Sequence, residues 1–352
     1  MHRARSLRWP VVMAAGIIMF ISTAEAGRAA GVIAVAARAE EPPKARVLPQ
    51  ASSAPVGQRA DAERASLWID VYQGEPVPYR EVLDDLATAR AIYLGERHVL
   101  QRHHQMQTKI LTDLAQKGIP LAVGLEQIDS SQQSHLDRYN RGEIDFEQLA
   151  KATAWSKRWS NYQQYRPILD AARKWKAPLV ALNARSETIR QVVHSGGIDR
   201  LAPETRRELP AKVQVQDPPY EELLSLQMKV HVAATSQTLR PMIEAQIARD
   251  EAMAEALAAL LESEQGRGRK VLVLCGAGHV AYGLGLPARV RRRLPGVKDR
   301  IVLFSESGEV RLSPEEKAQA RAIEITHEQL RDLRQPIADY LWVKPLEEKT
   351  AQ

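Results

Sequence analysis

Two Gly-x-x-His tetrapeptides stand far apart in this chain, Gly95-Glu96-Arg97-His98 and Gly276-Ala277-Gly278-His279, and each directly follows a short apolar run. A third apolar run ends in Val123-Gly124-Leu125-Glu126, and a fourth is followed by Asn183 and Arg185. Carboxylates and imidazoles brought together can do acid/base work: Glu96 or Glu126 would activate a water, His98 and His279 would move protons, and Arg185 would steady a developing oxyanion. His98, His279 and Glu96 are also a sufficient donor set for a divalent metal with an open position, although two distant turns are not the helical H-E-x-x-H arrangement. Each residue has a plainer use. Glu96 alone could cap a helix, a lone histidine is most often a hydrogen-bonded structural group, and a near-buried Glu126 requires a partner, for which Arg185 is the natural candidate. The whole set could equally be a buried charge network that holds the sheet edge together.

The elements that would position these residues read as alternating β and α. Ala91–Leu94, Leu121–Leu125, Leu179–Leu182, Val271–Cys275 and Ile301–Phe304 are short apolar runs bounded by Gly, Pro or polar residues, the pattern of strands buried on both faces. Helical spacing fills the segments 99–117 and 162–175. The expectation is a mostly parallel open α/β sheet flanked by helices, with ligands beyond the carboxyl ends of the strands. Residues 185–264, between the third and fourth strands, are too long for a simple crossover. They read as a helical insertion that caps the sheet edge, including a long Ala/Glu/Met-rich run from Pro241 to Glu264.

Aromatic residues form a second concentration: Trp155, Trp159, Tyr162, Tyr165 and Trp175 lie close together in a chain that is 5% aromatic. A helix through Trp155, Trp159 and Tyr162 would put all three on one face, either as an ordinary core stripe or as a flat wall for a planar ligand. His103 and His104 cannot share a helical face with His98, so they turn back toward the site only if His98 belongs to a loop; at least one of the pair is expected to face solvent. Gly276-Ala277-Gly278-His279-Val280-Ala281 also fits the dinucleotide pattern G-x-G-x-x-A, but Gly283, Gly285 and Pro287 interrupt the helix that would receive a pyrophosphate.

Composition bounds the class. The chain has 352 residues, 44% hydrophobic and 26% charged, enough for one large core. A single cysteine, Cys275, excludes a disulfide framework. Residues 1–26 have the layout of a secretory signal, with Arg3, Arg5 and Arg8 before an apolar run and Ala24-Glu25-Ala26 as a cleavage site; retention as an uncleaved anchor is the alternative. Removal of this segment lowers the formal charge from +6 to +4, too small an excess to indicate nucleic acid. Residues 27–65 read as a flexible linker and 66–345 as one α/β domain. The expected location is therefore periplasmic or elsewhere in the cell envelope, without a lipid-anchored cysteine.

Gly95-Glu96-Arg97-His98 with His103-His104, Gly124-Leu125-Glu126, Tyr165-Arg166-Pro167-Ile168, Arg249-Asp250-x-x-Met253-Ala254 and Gly276-Ala277-Gly278-His279 occur in one order. Over residues 67–305 this set resembles the ChaN-type haem-binding uptake family of the Tiki/TraB and erythromycin-esterase-like superfamily. The resemblance implies a secreted or surface-facing bacterial α/β domain with a helical insertion. It also implies haem bound as cofacial pairs at a homodimer interface through tyrosine, in iron acquisition with an unidentified membrane transport partner. On that implication haem would lie against Trp155 and Trp159, with Tyr162, Tyr165 or a histidine such as His104 near the iron, and Arg158 or Arg166 near the propionates. Hydrolytic relatives imply the other use of the strand ends, with Glu96, His98, Glu126, Arg185 and His279 as the active region and a divalent metal in some cases.

Overall fold

The computed structural model describes residues 66–231, 236–305 and 335–344. The signal-like segment and the linker lie outside them. Eight strands form one sheet: β1 (Leu67–Asp70), β2 (Glu75–Pro76), β3 (Ala91–Glu96), β4 (Leu121–Asp129), β5 (Leu179–Asn183), β6 (Lys270–Gly276), β7 (Asp299–Phe304) and β8 (Tyr340–Val343). Their order is β2-β1-β8-β7-β3-β6-β4-β5, with β3 to β8 running parallel and β1 and β2 antiparallel at one edge. The sheet is thus mostly parallel and open, as the apolar runs indicate; β1, β2 and β8 extend it beyond the five strands legible in the sequence.

Alternation along the central strands divides the side chains between two cores. Ile92 and Leu94 of β3, Leu272 and Leu274 of β6, and Val302 and Phe304 of β7 face one core. Tyr93, Val273, Cys275, Ile301 and Leu303 face the other. Both faces are covered, which is why these strands are apolar throughout rather than alternating. The exposed flank of β5 is closed by side chains that imitate a neighbouring strand: the Gln133 amide donates to Leu179 O at 3.1 Å and accepts from Ala181 N at 2.7 Å.

The insertion is helical, with Ser186–Ser195, Pro203–Arg206, Pro218–His231 and Ser236–Glu262 between β5 and β6. Its last helix starts before Pro241 and packs on β5, on the Ser186–Ser195 helix and on the Leu286–Arg293 helix. The aromatic face differs from expectation. The helix starts at Trp155, after Ala154 with φ 50°, and ends at Arg158, because Trp159 leaves it in extended conformation. Tyr162 then opens a separate 3-10 turn, Tyr162–Tyr165, so the three rings do not share one helical face. Among the described residues no helix is long and apolar enough to cross a membrane.

Close approach at the end of β3 is tight. A Cβ at Gly95 would lie 2.5 Å from Leu303 Cδ2 and 2.8 Å from Val280 Cγ2. Gly95→Ala is therefore expected to destabilise the protein by about 1–3 kcal/mol, the usual range for overpacking a filled core. Urea unfolding checks it, and an unchanged midpoint would show that the neighbours give way freely.

Candidate functional site

The carboxyl ends of β3, β4 and β6 bring Glu96, Glu126 and the turn Gly276–His279 into contact. Glu96, the last residue of β3, is buried, and its two oxygens are surrounded by donors. Oε1 receives Tyr165 Oη at 2.5 Å, His98 Nδ1 at 2.8 Å and Gln127 Nε2 at 3.1 Å. Oε2 receives Gln107 Nε2 at 2.6 Å and faces His104 Nδ1 at 3.1 Å. Burial alone would raise the Glu96 pKa, but the imidazoles of His104 and His98 overcome it and hold the carboxylate well below the usual range.

His104 has no acceptor role here. Its Nε2 faces His98 O at 2.9 Å while Nδ1 faces the Glu96 carboxylate at 3.1 Å, and both of these oxygens only accept, which favours the doubly protonated ring. Burial opposes this charge, and Glu96 outweighs the burial and raises the His104 pKa. His103 behaves oppositely. Arg97 N donates to its Nδ1 at 3.0 Å, Nε2 donates to Ser305 O at 3.1 Å, and burial lowers its pKa to about 3. Both histidines are buried, against the expectation that one faces water. They can turn inward because His98 lies in the loop before the Gln101–Gln116 helix.

The second half of the cluster is built around His279. Nδ1 meets Asp250 Oδ1 at 2.6 Å and Nε2 meets Glu126 Oε1 at 3.3 Å, so this ring too is an imidazolium. Burial pushes its pKa down, yet Glu126 and Asp250 together raise it to about 10. Asp250 also accepts from Tyr220 Oη at 2.5 Å, and the Gln246 amide lies 2.9 Å from His279 Nδ1. Glu126 follows Leu125 on β4, where alternation puts its side chain on the opposite face from Val123 and Leu125, and the pairing of β4 with β5 shifts register beyond Leu125. There its Oε2 accepts Gly276 N–H at 2.6 Å. Burial raises the Glu126 pKa, while His279 and His98 draw it down to about 2. His98 Nε2 stands 3.9 Å from Glu126 Oε1 and joins the two halves. A Cβ at Gly276 would come within 2.9 Å of that nitrogen, so the turn needs glycine for this approach.

Of the residues singled out from the sequence, Glu96, His98, His104, Glu126, Tyr165 and His279 are thus brought together. Arg185 is not: it is exposed on the insertion and pairs with Glu208 at 3.0 Å, so it does not partner Glu126. Asn183 supports from behind, donating to Glu126 O at 2.9 Å. Trp155 offers no wall, because its ring is buried against Phe146 and Tyr165. Trp159 is half-buried with its ring edge-on to His98, centroids 4.6 Å apart. Tyr162 lies outside the cluster, stacked on Phe146, its hydroxyl accepting from Gln163 at 2.8 Å. Arg158 is committed to Asp129 at 2.7 Å, and Arg166 is exposed beside Asp170 and Glu147. Gln107, Gln127, Tyr220, Gln246 and Asp250 were not expected as partners; the signals were Gln107 three residues after His104 and Gln246 four before Asp250 on helices.

The divalent-metal set does not assemble. Among the described residues no group of three or more His, Cys, Asp and Glu side chains has the arrangement to hold a metal ion. The physical reason is that His279 turns both nitrogens to carboxylates and has no lone pair to offer, while Glu96 and Glu126 meet opposite nitrogens of His98.

An open, mostly parallel α/β sheet with a helical insertion and a carboxylate–imidazole cluster at its carboxyl edge defines the class. Within it, residues 82–290, more than half of the chain, match the haem-binding uptake family of the Tiki superfamily, ChaN, and the chain belongs to that family. Its fold is similar to that of ChaN of Campylobacter jejuni, solved with cofacial haem, at TM-score 0.59 and 22% identity over 79% of this chain and 96% of that one. An erythromycin esterase mutant in its open conformation is a more distant likeness, with TM-score 0.41 and 12% identity over 67% of this chain and 76% of that one. The chloroplastic protein RETICULATA-RELATED 5 of Arabidopsis thaliana is 26% identical over 297 residues, 76% of this chain. The chain spans only 36% of the length of that curated relative.

The charge assignment has a pH signature. His279, raised from 6.5 to about 10, contributes stability that is fully present below pH 6.5 and lost as pH rises through 10. Glu126, drawn from 4.5 to about 2, contributes fully above pH 4.5 and loses it as pH falls through 2. In urea titrations the stability gap between wild type and His279→Gln should be widest between pH 4.5 and 6.5 and shrink from 6.5 toward 10. A gap independent of pH across that upper window would refute the imidazolium.

Proposed function

We propose that the protein binds ferric haem beside the carboxyl edge of its sheet and serves haem or iron handling in the cell envelope. Family membership over residues 82–290 carries the reading. The side chains near the cluster fit a planar iron porphyrin in part. Val99, 45% exposed, and half-buried Trp159 flank His98 and supply apolar surface. Tyr162 is the phenol that suits iron: among the described residues its hydroxyl meets only the Gln163 side chain, whereas Tyr165 is enclosed and donates to Glu96, and burial with that carboxylate pushes its pKa far up. A ferric iron is stabilised by an anionic oxygen ligand, which a phenolate provides. Trp155 and His104, sealed in the interior, act on such a ligand only through the side chains they support. Envelope location rests on the signal-like residues 1–26, and the proposal includes a homodimer that hands haem to a membrane transport partner.

A second reading is supported by His98. Its side chain is 17% exposed, the most accessible of the cluster, with Nδ1 fixed on Glu96 and Nε2 directed at Glu126. An imidazole oriented by one carboxylate next to another is the apparatus of a general acid/base, and a hydrolase would use it.

Hemin titrated into the purified protein should give a stoichiometric Soret shift. Tyr162→Phe should weaken binding and alter the spectrum, while Tyr165→Phe should keep the spectrum and lower stability. No Soret shift in the wild type would overturn haem binding; a spectrum indifferent to Tyr162→Phe but lost in Tyr165→Phe would reassign the ligand. Ester and amide substrate panels on wild type and His98→Ala decide the second reading, since equal and null turnover in both removes it.

A further inference from the structure

Arg249 stands on the Ser236–Glu262 helix three residues after Gln246 and next to Asp250, the two side chains that reach His279. Helical spacing therefore turns Arg249 toward the same sheet edge. It is half-buried, and no hydrogen bond or ion pair to it forms among the described residues. Neighbouring arginines differ: Arg190 pairs with Glu187 at 2.9 Å, Arg185 with Glu208 at 3.0 Å, and Arg289, Arg292 and Arg293 all converge on Glu251. The carboxylates nearest to Arg249 are already engaged. Glu126 is held by Gly276 N–H and His279, and Asp250 by Tyr220 and His279, so they attract Arg249 through space without contacting it. Arg190, on the adjoining Ser186–Ser195 helix, adds a second positive charge whose field reaches Arg249. A partly desolvated guanidinium with five donors and no acceptor, beside another cation, is the half of an interaction that an external anion completes.

We propose that Arg249 binds a carboxylate of the ligand, and, resting on the haem reading above, that this carboxylate is a haem propionate. A planar guanidinium takes a carboxylate in two parallel N–H···O bonds, which fixes orientation as well as adding affinity. Burial lowers the Arg249 pKa without removing its charge, and attraction to Glu126 and Asp250 works against that lowering.

The test compares hemin with hemin dimethyl ester, which has the same porphyrin and iron but no carboxylates, on the full chain. Wild type should bind hemin at least about tenfold more tightly than the ester, the scale of one charge-assisted bidentate pair. Arg249→Gln should lose that preference by weakening hemin alone, and Arg249→Lys, which keeps the charge but not the fork, should fall between. Hemin preference unchanged in Arg249→Gln overturns the assignment while leaving haem binding in place. If Arg249→Gln does not fold, Arg249→Lys decides, since a preference equal to wild type counts against bidentate recognition. Equal affinity of the wild type for both compounds overturns the proposal as well, and no binding of either overturns the haem reading and this inference together.

Discussion

A carboxylate buried without donors would not stay ionised, and at Glu96 the fold supplies donors from four separate pieces of chain. His98 comes from the loop after β3, His104 and Gln107 from the Gln101–Gln116 helix, Gln127 from β4, and Tyr165 from the 3-10 turn before the Arg166–Lys174 helix. Each donor must arrive in register for the charge to be tolerated, so the carboxylate ties the end of β3 to the helical layer on that face. The aromatic segment is fixed by the same requirement. Tyr165 is oriented by Glu96, Trp155 and Trp159 pack against Tyr165, and Trp159 in turn meets His98. The hydrogen bond from Asn161 to His98 O closes the loop onto this segment.

The insertion is coupled to the sheet by a second charge arrangement of the same kind. Asp250, fully buried on the long helix, requires His279 and Tyr220, and His279 requires Glu126. One residue further, Glu251 is buried against Arg289, Arg292 and Arg293 of the Leu286–Arg293 helix. Adjacent acidic residues thus point two ways, one into the site and one into the helix that follows β6. Removing a single member would leave an uncompensated buried charge, which is far more destabilising than replacing the whole group by apolar residues. Such a network contributes geometry more than stability.

What the sequence discloses follows from how local each cause is. The five strands β3 to β7 are legible because burial on both faces demands continuous apolar runs, and the convergence of Glu96, Glu126, His98 and His279 follows from their positions just beyond those runs. β8 is four residues long and joins the sheet only through β7 and β1, partners distant in sequence, so no local pattern marks it. The shared aromatic face fails on one backbone event, the extended conformation of Trp159 between Trp155 and Tyr162, which periodicity does not encode. Arg185 reads as the partner of Glu126 because it follows the adjacent strand. The true partner, His279, arrives from 153 residues away along the chain, and Arg185 finds Glu208 within the insertion instead. Partners supplied by long-range packing are the part a linear pattern leaves open.

Two of the three imidazoles at the site turn both nitrogens toward oxygen acceptors, and this decides what the cluster can do. His104 and His279 draw the pKa values of Glu96 and Glu126 down; His279, with both nitrogens on carboxylates, has no lone pair with which to accept a proton or bind a metal. His98 is different. Only its Nδ1 is hydrogen-bonded to a carboxylate, while Nε2 stands 3.9 Å from Glu126, beyond hydrogen-bond reach, in a side chain that is 17% exposed. The network therefore concentrates its accessible chemistry at one nitrogen and holds that nitrogen by a buried carboxylate behind it.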